Sequence, residues 1–306
     1  MTQDSVTYKS DQPPRSKLLL LENIHGWPTQ SIQELQRRTA DALCMPIVFR
    51  DALNPLDLGP EMVVIPAGAF LMGPSAEEIA PKQKEEFPQH MVTFAKPFAI
   101  GKYPVTFEEL DCFCLAIKRR SPYGCDQGWG RGRRPVINIS WATAQVYCAW
   151  LTKQTGYRYR LPSESEWEYA CRAGSTTAFH WGSTITPKQA NYDGNHSYCN
   201  GEKGQFRKRT LPVDYAFPIN AFSLHQMIGN VWEWCEDRWH GGYNGAPSDG
   251  SPWTTGVSEN CVIRGGSWYS GPNWLRSASR AWWPSNGMDE HIGFRLARDI
   301  SIYSGY

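Results

Sequence analysis

Tryptophan is distributed unevenly along this 306-residue chain, and that distribution limits the folds open to it. Nine of the 14 tryptophans lie between Trp181 and Trp283, in a region rich in glycine and asparagine that shows few helical repeats. The chain also has 27 glycines and 22 prolines, which interrupt regular elements, so its composition fits a loop-rich fold better than a helical bundle. The helical patterns fall earlier in the sequence. We therefore predict an α+β domain with its helices first and loop-rich strands after Gly174.

Helix-capping signals support this order of elements. Two S/T-x-x-E capping boxes, at Thr106 and Ser163, and a serine cap at Ser140 predict three helix starts. An earlier helix, SIQELQRRTADAL, is predicted to begin at a Thr29 or Ser31 cap and to pack against the main domain or a partner. The segment MVVIPAGAFLMG predicts two buried strands around a turn.

The domain organisation predicted from these patterns has three parts. Residues 1–60 form a leader with a short helix and a connector, residues 61–300 form one domain, and residues 301–306 form a tail.

The sequence shows no secretion signal and no apolar run long enough to span a membrane. We therefore predict that most of the nine cysteines are reduced thiols. We expect a cytoplasmic protein without a membrane span. With 31 Lys and Arg against 30 Asp and Glu, a nucleic-acid partner is not expected.

Six segments in order resemble the formylglycine-generating enzyme, or sulfatase-modifying factor, family. They are MVVIPAGAFLMG, KPFAIGKYPVTFEEL, RLPSESEWEYACRAG, NAFSLHQMIGNVWEWCEDRW, VIRGGSW and IGFRLAR, spread over roughly residues 61–299. The resemblance implies the family's modified C-type-lectin-like fold, which is α+β, loop-rich and poor in regular secondary structure. It also implies that Trp232, Trp234 and Trp268 belong to the core. A shared fold does not settle function.

The catalytic cysteines of the family's oxidases have no counterpart here. In those members two cysteines shortly after GGSW bind the copper ion used with oxygen, whereas this chain has Ser270 and Leu275 at those positions. Neither residue forms the thiolate that Cu(I) prefers as a ligand. The nearest thiols, Cys235 and Cys261, occupy positions typical of strand packing. We therefore expect neither copper nor oxidase chemistry, and no catalytic residue is assigned.

The family's calcium sites correspond to two sets of residues. One set is Gln226, Gly229, Val231 and Glu233, and the other is Asn191 and Tyr192, with Gln205 and Arg207 opposite. The resemblance implies calcium as a structural cofactor, although Gln226 and Gln205 replace anionic or shorter oxygen ligands and weaken such sites. The alternative, in which Glu233 and Asn191 only bond backbone groups in turns, stays open.

The stretch between RGGSW and the final GFR mixes aromatic, small and charged side chains without a helical or strand period. Such a mixture is typical of a binding surface that combines rigid anchors with adaptable groups. It resembles the variable proteins of diversity-generating retroelements, which carry their diversified residues in this stretch. The resemblance implies a ligand-binding face formed by Tyr269, Ser270, Gly271, Asn273, Trp274, Ser279, Ala281, Trp282, Trp283, Ser285, Asn286, Gly287, Met288, Asp289, Glu290 and His291.

Three tryptophans in this face restrict the diversification hypothesis. Adenine mutation of asparagine codons does not produce tryptophan, so Trp274, Trp282 and Trp283 are either encoded by the template or belong to a relative that is not diversified. Neighbouring residues of an extended segment point to opposite sides, so we expect Trp282 or Trp283 to be exposed. An exposed tryptophan near Tyr269 and Met288 would be a natural anchor for a ligand.

These observations lead to one main hypothesis and two alternatives. The main hypothesis is a non-catalytic binding protein that presents an aromatic-rich surface on a rigid scaffold, with a protein as its ligand or, by analogy of fold, a glycan. One alternative is an oxidase of the formylglycine-generating type acting on a sulfatase or another peptide. The other is a regulatory scaffold subunit that docks through its N-terminal helix. The oligomeric state stays open.

Overall fold

The computed structural model describes residues 21–53, 57–76, 78, 82–119 and 123–300. The predicted leader and tail therefore lie partly outside the described residues, at 1–20 and 301–306. Within the described part no helix has the length and apolar character needed to cross a bilayer. The helices there are α1 (Thr29–Ala42), α2 (Phe107–Ala116), α3 (Trp141–Thr155) and α4 (Glu164–Arg172), with short 3-10 helices at Lys84–Glu86 and Pro272–Leu275.

The strands of the described residues form three sheets. In chain order they are β1 (Val48–Phe49), β2 (Met62–Ile65), β3 (Gly68–Met72), β4 (His90–Phe94), β5 (Phe98–Gly101), β6 (Tyr159–Arg160), β7 (Trp232–Arg238), β8 (Asn260–Arg264), β9 (Arg280–Pro284), β10 (Ile292–Phe294) and β11 (Ala297–Asp299). A five-stranded antiparallel sheet has the order β1-β2-β5-β11-β6. A four-stranded sheet has the order β10-β7-β8-β9, and β3 pairs with β4. The α+β class is confirmed.

The four-stranded sheet places the segment of interest. Strand β10 lies parallel to β7, with Ile292 opposite Trp232, while β8 and β9 follow in antiparallel register. Parallel neighbours cannot be joined by a tight hairpin. The long connection from β7 to β10 therefore runs through β8, the 3-10 helix and β9 before it returns. Residues 285–291 close this path and lie at one end of the sheet.

The predicted helix caps are confirmed with one exception. The side chains of Thr106 and Ser163 complete capping boxes with Glu109 and Glu166, and Ser140 accepts a hydrogen bond from the backbone N–H of Thr143. Helix α1 instead begins at Thr29 after Pro28, without a side-chain cap. Pro28 stands at the N-cap with an extended backbone, and its ring has no hydroxyl or carboxylate with which to cap the helix.

Helix α1 and β1 pack directly on the predicted domain. Ile32 and Leu35 of α1 lie in the hydrophobic core, and the buried Gln36 side chain donates hydrogen bonds to the carbonyls of Val64 and Phe222 at 2.9 and 3.2 Å. Strand β1 pairs with β2 across the boundary predicted between residues 60 and 61. The part of the N-terminal region that the structure describes thus shares the core of the main domain.

A chain of buried ion pairs links the elements beneath the four-stranded sheet. Four arginines and four glutamates, each with a side chain at most 5 % exposed, alternate in the order Glu86, Arg276, Glu78, Arg172, Glu168, Arg264, Glu164 and Arg280. Their charges balance, which is the condition for burying so many. This chain fixes Arg264 of β8 and Arg280 of β9 to α4, and so holds the framework on either side of the candidate binding segment.

Candidate ligand-binding site

Backbone contacts bring two distant parts of the predicted face together. The Trp268 indole N–H donates to the carbonyl oxygen of Glu290 at 3.1 Å, and the backbone N–H of Trp232 donates to the carbonyl oxygen of His291 at 2.8 Å. On the other side, the backbone N–H of Asn138 donates to the carbonyl oxygen of Asp289 at 2.8 Å. The loop 288–291 is therefore held against the RGGSW turn through its backbone carbonyls, by donors from three other segments.

An open pocket of about 350 Å³ lies between this loop and the turn. Its walls are Asn138, Tyr269, Met288, Asp289, Glu290 and His291. Tyr269 and Met288 are 63 % and 64 % exposed, so large apolar side chains stand at its rim in water. Exposed apolar side chains beside a concavity are typical of binding surfaces.

His291 is the titratable group within the pocket. Its Nδ1 atom contacts a carboxylate oxygen of Asp289, and burial lowers the pKa of the imidazole below its ordinary value of 6.5 although Asp289 and Glu290 act to raise it. At neutral pH the imidazole is therefore uncharged. The contact with Asp289 is then not an ion pair, because the ring carries no charge.

Aromatic rings surround the pocket. The ring of His291 lies 6.4 Å from that of Tyr269 and 5.7 Å from that of Trp283, measured between centroids. Trp268 continues this group towards Trp129 and Phe206, at 5.3 and 6.2 Å. These spacings are those of interacting aromatic pairs. The rings form a stiff wall that holds Tyr269 in place.

The two adjacent tryptophans of β9 lie on opposite faces of the sheet, as predicted. Trp282 is 46 % exposed and pairs across the ladder with Val262. Trp283 pairs with Cys261 and packs against the hydrophobic core to which Cys261 belongs. Gly287 lies under the Trp283 ring, where a Cβ atom would approach the indole nitrogen to 2.7 Å. Trp283 therefore supports the pocket, and Trp282 is exposed on the other face.

The remaining predicted residues separate into an exposed and a buried group. Trp274 is 40 % exposed, and its ring packs edge-on against Trp232 at 6.1 Å. Asn273 and Asn286 are exposed, while Ser270, Gly271, Ala281 and Ser285 are half-buried. Ser279 is fully buried. Its side chain does not reach the surface, because the residue lies between Ala278 and Arg280 in the framework around the Arg264 guanidinium, and the prediction that it belongs to the face is corrected.

The positions of the oxidase cysteines are occupied by structural residues. Leu275 is fully buried, and the Ser270 hydroxyl accepts a hydrogen bond from the backbone N–H of Ser267 at 3.0 Å within the turn. Burial raises the pKa of the Cys261 thiol to about 11 and that of Cys235 well above its ordinary value. Neither thiol ionises at neutral pH, so the residues present do not fit a copper ion held by thiolates.

The two sets of residues implied for calcium differ in their free oxygen atoms. Arg295 binds both carboxylate oxygens of Glu233, at 2.9 and 3.0 Å, and the Trp167 indole N–H donates to one of them. The Gln226 side-chain oxygen accepts from Asn230 at 2.6 Å. This first set does not fit calcium, which needs six or more available oxygens.

In the second set, Asn191 Oδ1 is buried without a hydrogen-bond partner among the described residues. In that same part of the chain no three His, Cys, Asp or Glu side chains are grouped to hold a metal ion.

Three residues of the site lie outside the segment to which sequence reasoning confined it. Asn138 lines the pocket, and Trp129 and Phe206 pack on the Trp268 ring beside it. All three come from loops far away in the chain, and only the fold brings them there. Asn138 has a left-handed backbone with φ of 55°, a conformation that asparagine tolerates better than most residues. Nothing in the local sequence marked these loops as neighbours of Tyr269.

Comparison with known proteins identifies the family. The Sulfatase-modifying factor enzyme 1-like domain matches residues 51–300, and the chain belongs to that family. It is 34 % identical over 291 residues to the formylglycine-generating enzyme of Mus musculus, covering 78 % of this chain and 75 % of the mouse protein.

Two solved structures extend the comparison. PvdO from Pseudomonas aeruginosa is 39 % identical with a TM-score of 0.70, over 83 % of this chain and 98 % of that one. Variable protein 1 of Treponema denticola has the same fold, at 20 % identity and a TM-score of 0.66, over 84 % of this chain and 100 % of that one.

Proposed function

We propose that the protein is a non-catalytic binding protein whose ligand occupies the pocket between Tyr269 and the loop 288–291. The observation that carries the proposal is the exposure of Tyr269 and Met288 at the rim of a concavity in a framework that is otherwise well packed. Leaving two large apolar side chains in water costs free energy that a ligand would recover. A rigid framework that exposes apolar side chains at one face is well suited to binding a ligand there.

A protein is the ligand we favour. The pocket is open and has the exposed side chains of Tyr269 and Met288 at its rim, so its shape suits a broad partner surface rather than an enclosed small molecule. The likeness to a variable protein supports this choice by fold alone. The alternative ligand is a glycan that stacks on the ring of Tyr269, and the experiment below distinguishes the two.

The proposal is tested by capture from a lysate of the native host with three immobilised proteins. They are the wild type, the double variant Tyr269→Ala with Met288→Ala, and Val257→Ala as a control, since Val257 is fully exposed elsewhere. We expect proteins retained by the wild type and the control to be lost from the double variant, which should fold normally because both side chains are mostly exposed to water. Identical sets from all three, or retention of glycans alone on a glycan array, would contradict a protein ligand at this pocket.

Absence of oxidase chemistry has its own test. Oxygen uptake with copper and a cysteine-containing sulfatase peptide should equal the protein-free rate, because neither Ser270 nor Leu275 supplies a thiolate. The mouse formylglycine-generating enzyme serves as the positive control. Oxygen uptake that scales with the concentration of this protein would show an enzyme instead.

Calcium stays a proposal for the set around Asn191 and Tyr192. The unpaired Asn191 Oδ1 is the oxygen that supports it. A chelator should lower the melting temperature of the wild type but not that of Asn191→Ala, because a ligand that binds only the folded state stabilises it. Equal melting curves of the wild type with and without chelator would remove the proposal.

A further inference from the structure

The charge of the pocket specifies the ligand more closely than its shape does. Asp289 and Glu290 both line it, and within the described residues neither is ion-paired with a lysine or arginine. The one basic side chain among the residues that line the pocket is His291, which burial keeps neutral at pH 7. Two carboxylates therefore stand in a pocket without a compensating cation.

The uncharged walls of the pocket also suit a cationic ligand. The exposed ring of Tyr269 faces the His291 ring, and the Trp283 ring lies behind it. Aromatic faces attract cations through their quadrupole, and a thioether such as that of Met288 adapts to an alkyl stem. Lysine and arginine join a cationic head to such a stem, so both of their parts would find a complementary wall.

The pocket is held ready for such a ligand by backbone contacts. The carbonyl oxygens of Asp289, Glu290 and His291 are each fixed by a donor from outside the loop, namely Asn138, Trp268 and Trp232. The loop that carries both carboxylates is thus fixed before a ligand binds, which lowers the ordering cost of binding.

We infer that this pocket takes the cationic side chain, lysine or arginine, of the protein partner; the inference rests on the function proposed above. The cationic head lies between the carboxylates of Asp289 and Glu290, and the alkyl stem packs on Tyr269 and Met288. Recognition is by charge, so added salt weakens it.

Peptide pairs that differ in the charge of one side chain test the inference. The probes are acetyl-Gly-Gly-Arg-Gly-Gly-amide and the same peptide with citrulline, its neutral isostere, together with a lysine and acetyl-lysine pair. We expect at least one cationic peptide to bind about tenfold more tightly than its neutral counterpart in calorimetric titration, as a difference of ~1.4 kcal/mol would give. No discrimination within either pair, including no binding by any peptide, would overturn the inference.

Variants assign the effect to the pocket. Glu290→Gln should lower the affinity for the cationic peptide several-fold, whereas Glu34→Gln, an exposed glutamate on α1, should leave it unchanged. Equal loss in both variants would show a non-specific effect of net charge and contradict the assignment. If host proteins are lost from the Tyr269 and Met288 variant while the peptides show no charge preference, this inference fails and the proposed function stands. If capture is unaffected, the proposed function itself fails.

Discussion

At the scale of single residues, His291 determines how the pocket responds to pH. Because burial lowers the pKa of the imidazole below 6.5, the folded protein binds this proton more weakly than the unfolded chain does. The stability that depends on neutral His291 is complete above pH 6.5 and is lost as the pH falls through the lowered value. A protonated imidazole would also add a positive charge to the acidic pocket.

We therefore expect the NMR titration of His291 to have its midpoint below pH 6.5. In Asp289→Asn the midpoint should fall further, because the carboxylate that favours the protonated form is gone. Affinity for a cationic peptide should decrease over the same pH range in the wild type. A wild-type midpoint at or above 6.5 would contradict this description of the pocket.

At the scale of elements, β9 places its two adjacent tryptophans on opposite faces of the sheet. Trp283→Ala should lower the free energy of unfolding by about 0.5–3 kcal/mol, because the ring packs on the core and on Gly287. Trp282→Ala should change it by less than Trp283→Ala, because almost half of that side chain is already in water. Chemical denaturation of both variants measures the difference, and an equal loss would mean that both rings are core residues.

Local sequence signals predicted the helices and strand β9 well, but they predicted the residues of the ligand-binding pocket less well. Capping boxes at Thr106 and Ser163 depend on residues three apart, so the sequence contains the whole interaction. Strand alternation likewise predicted that Trp282 and Trp283 diverge. The burial of Ser279 and the approach of Asn138 to Asp289 depend on contacts between distant segments, and no local pattern encodes them.

At the scale of the whole molecule, the buried chain of ion pairs holds the framework on which the pocket rests. Burial acts to raise the pKa of Glu168, but the charges of Arg172 and Arg264 outweigh it and hold the pKa below its ordinary value. Its contribution to stability is present above pH 4.5 and is lost as the pH falls through the lowered pKa.

Glu168→Gln should lower the free energy of unfolding by about 3–5 kcal/mol, since it leaves buried guanidinium groups without their counter-charge. The control Glu34→Gln, which weakens a solvent-exposed pair with Arg37, should leave the melting temperature unchanged. Denaturant titration of both variants provides the comparison. A similar effect of the two changes would show that the buried chain of charges does not stabilise this fold.

Hydrogen–deuterium exchange of the protein with and without its captured partner tests the central claim most directly, because it locates the bound surface on the intact chain. We predict slower exchange in peptides covering residues 267–271 and 285–292, with no change in α1 or around residues 94–98 and 249–252, which line a separate groove of about 880 Å³. Protection confined to α1 or to that groove, with residues 285–292 unchanged, would contradict the assignment of the binding site.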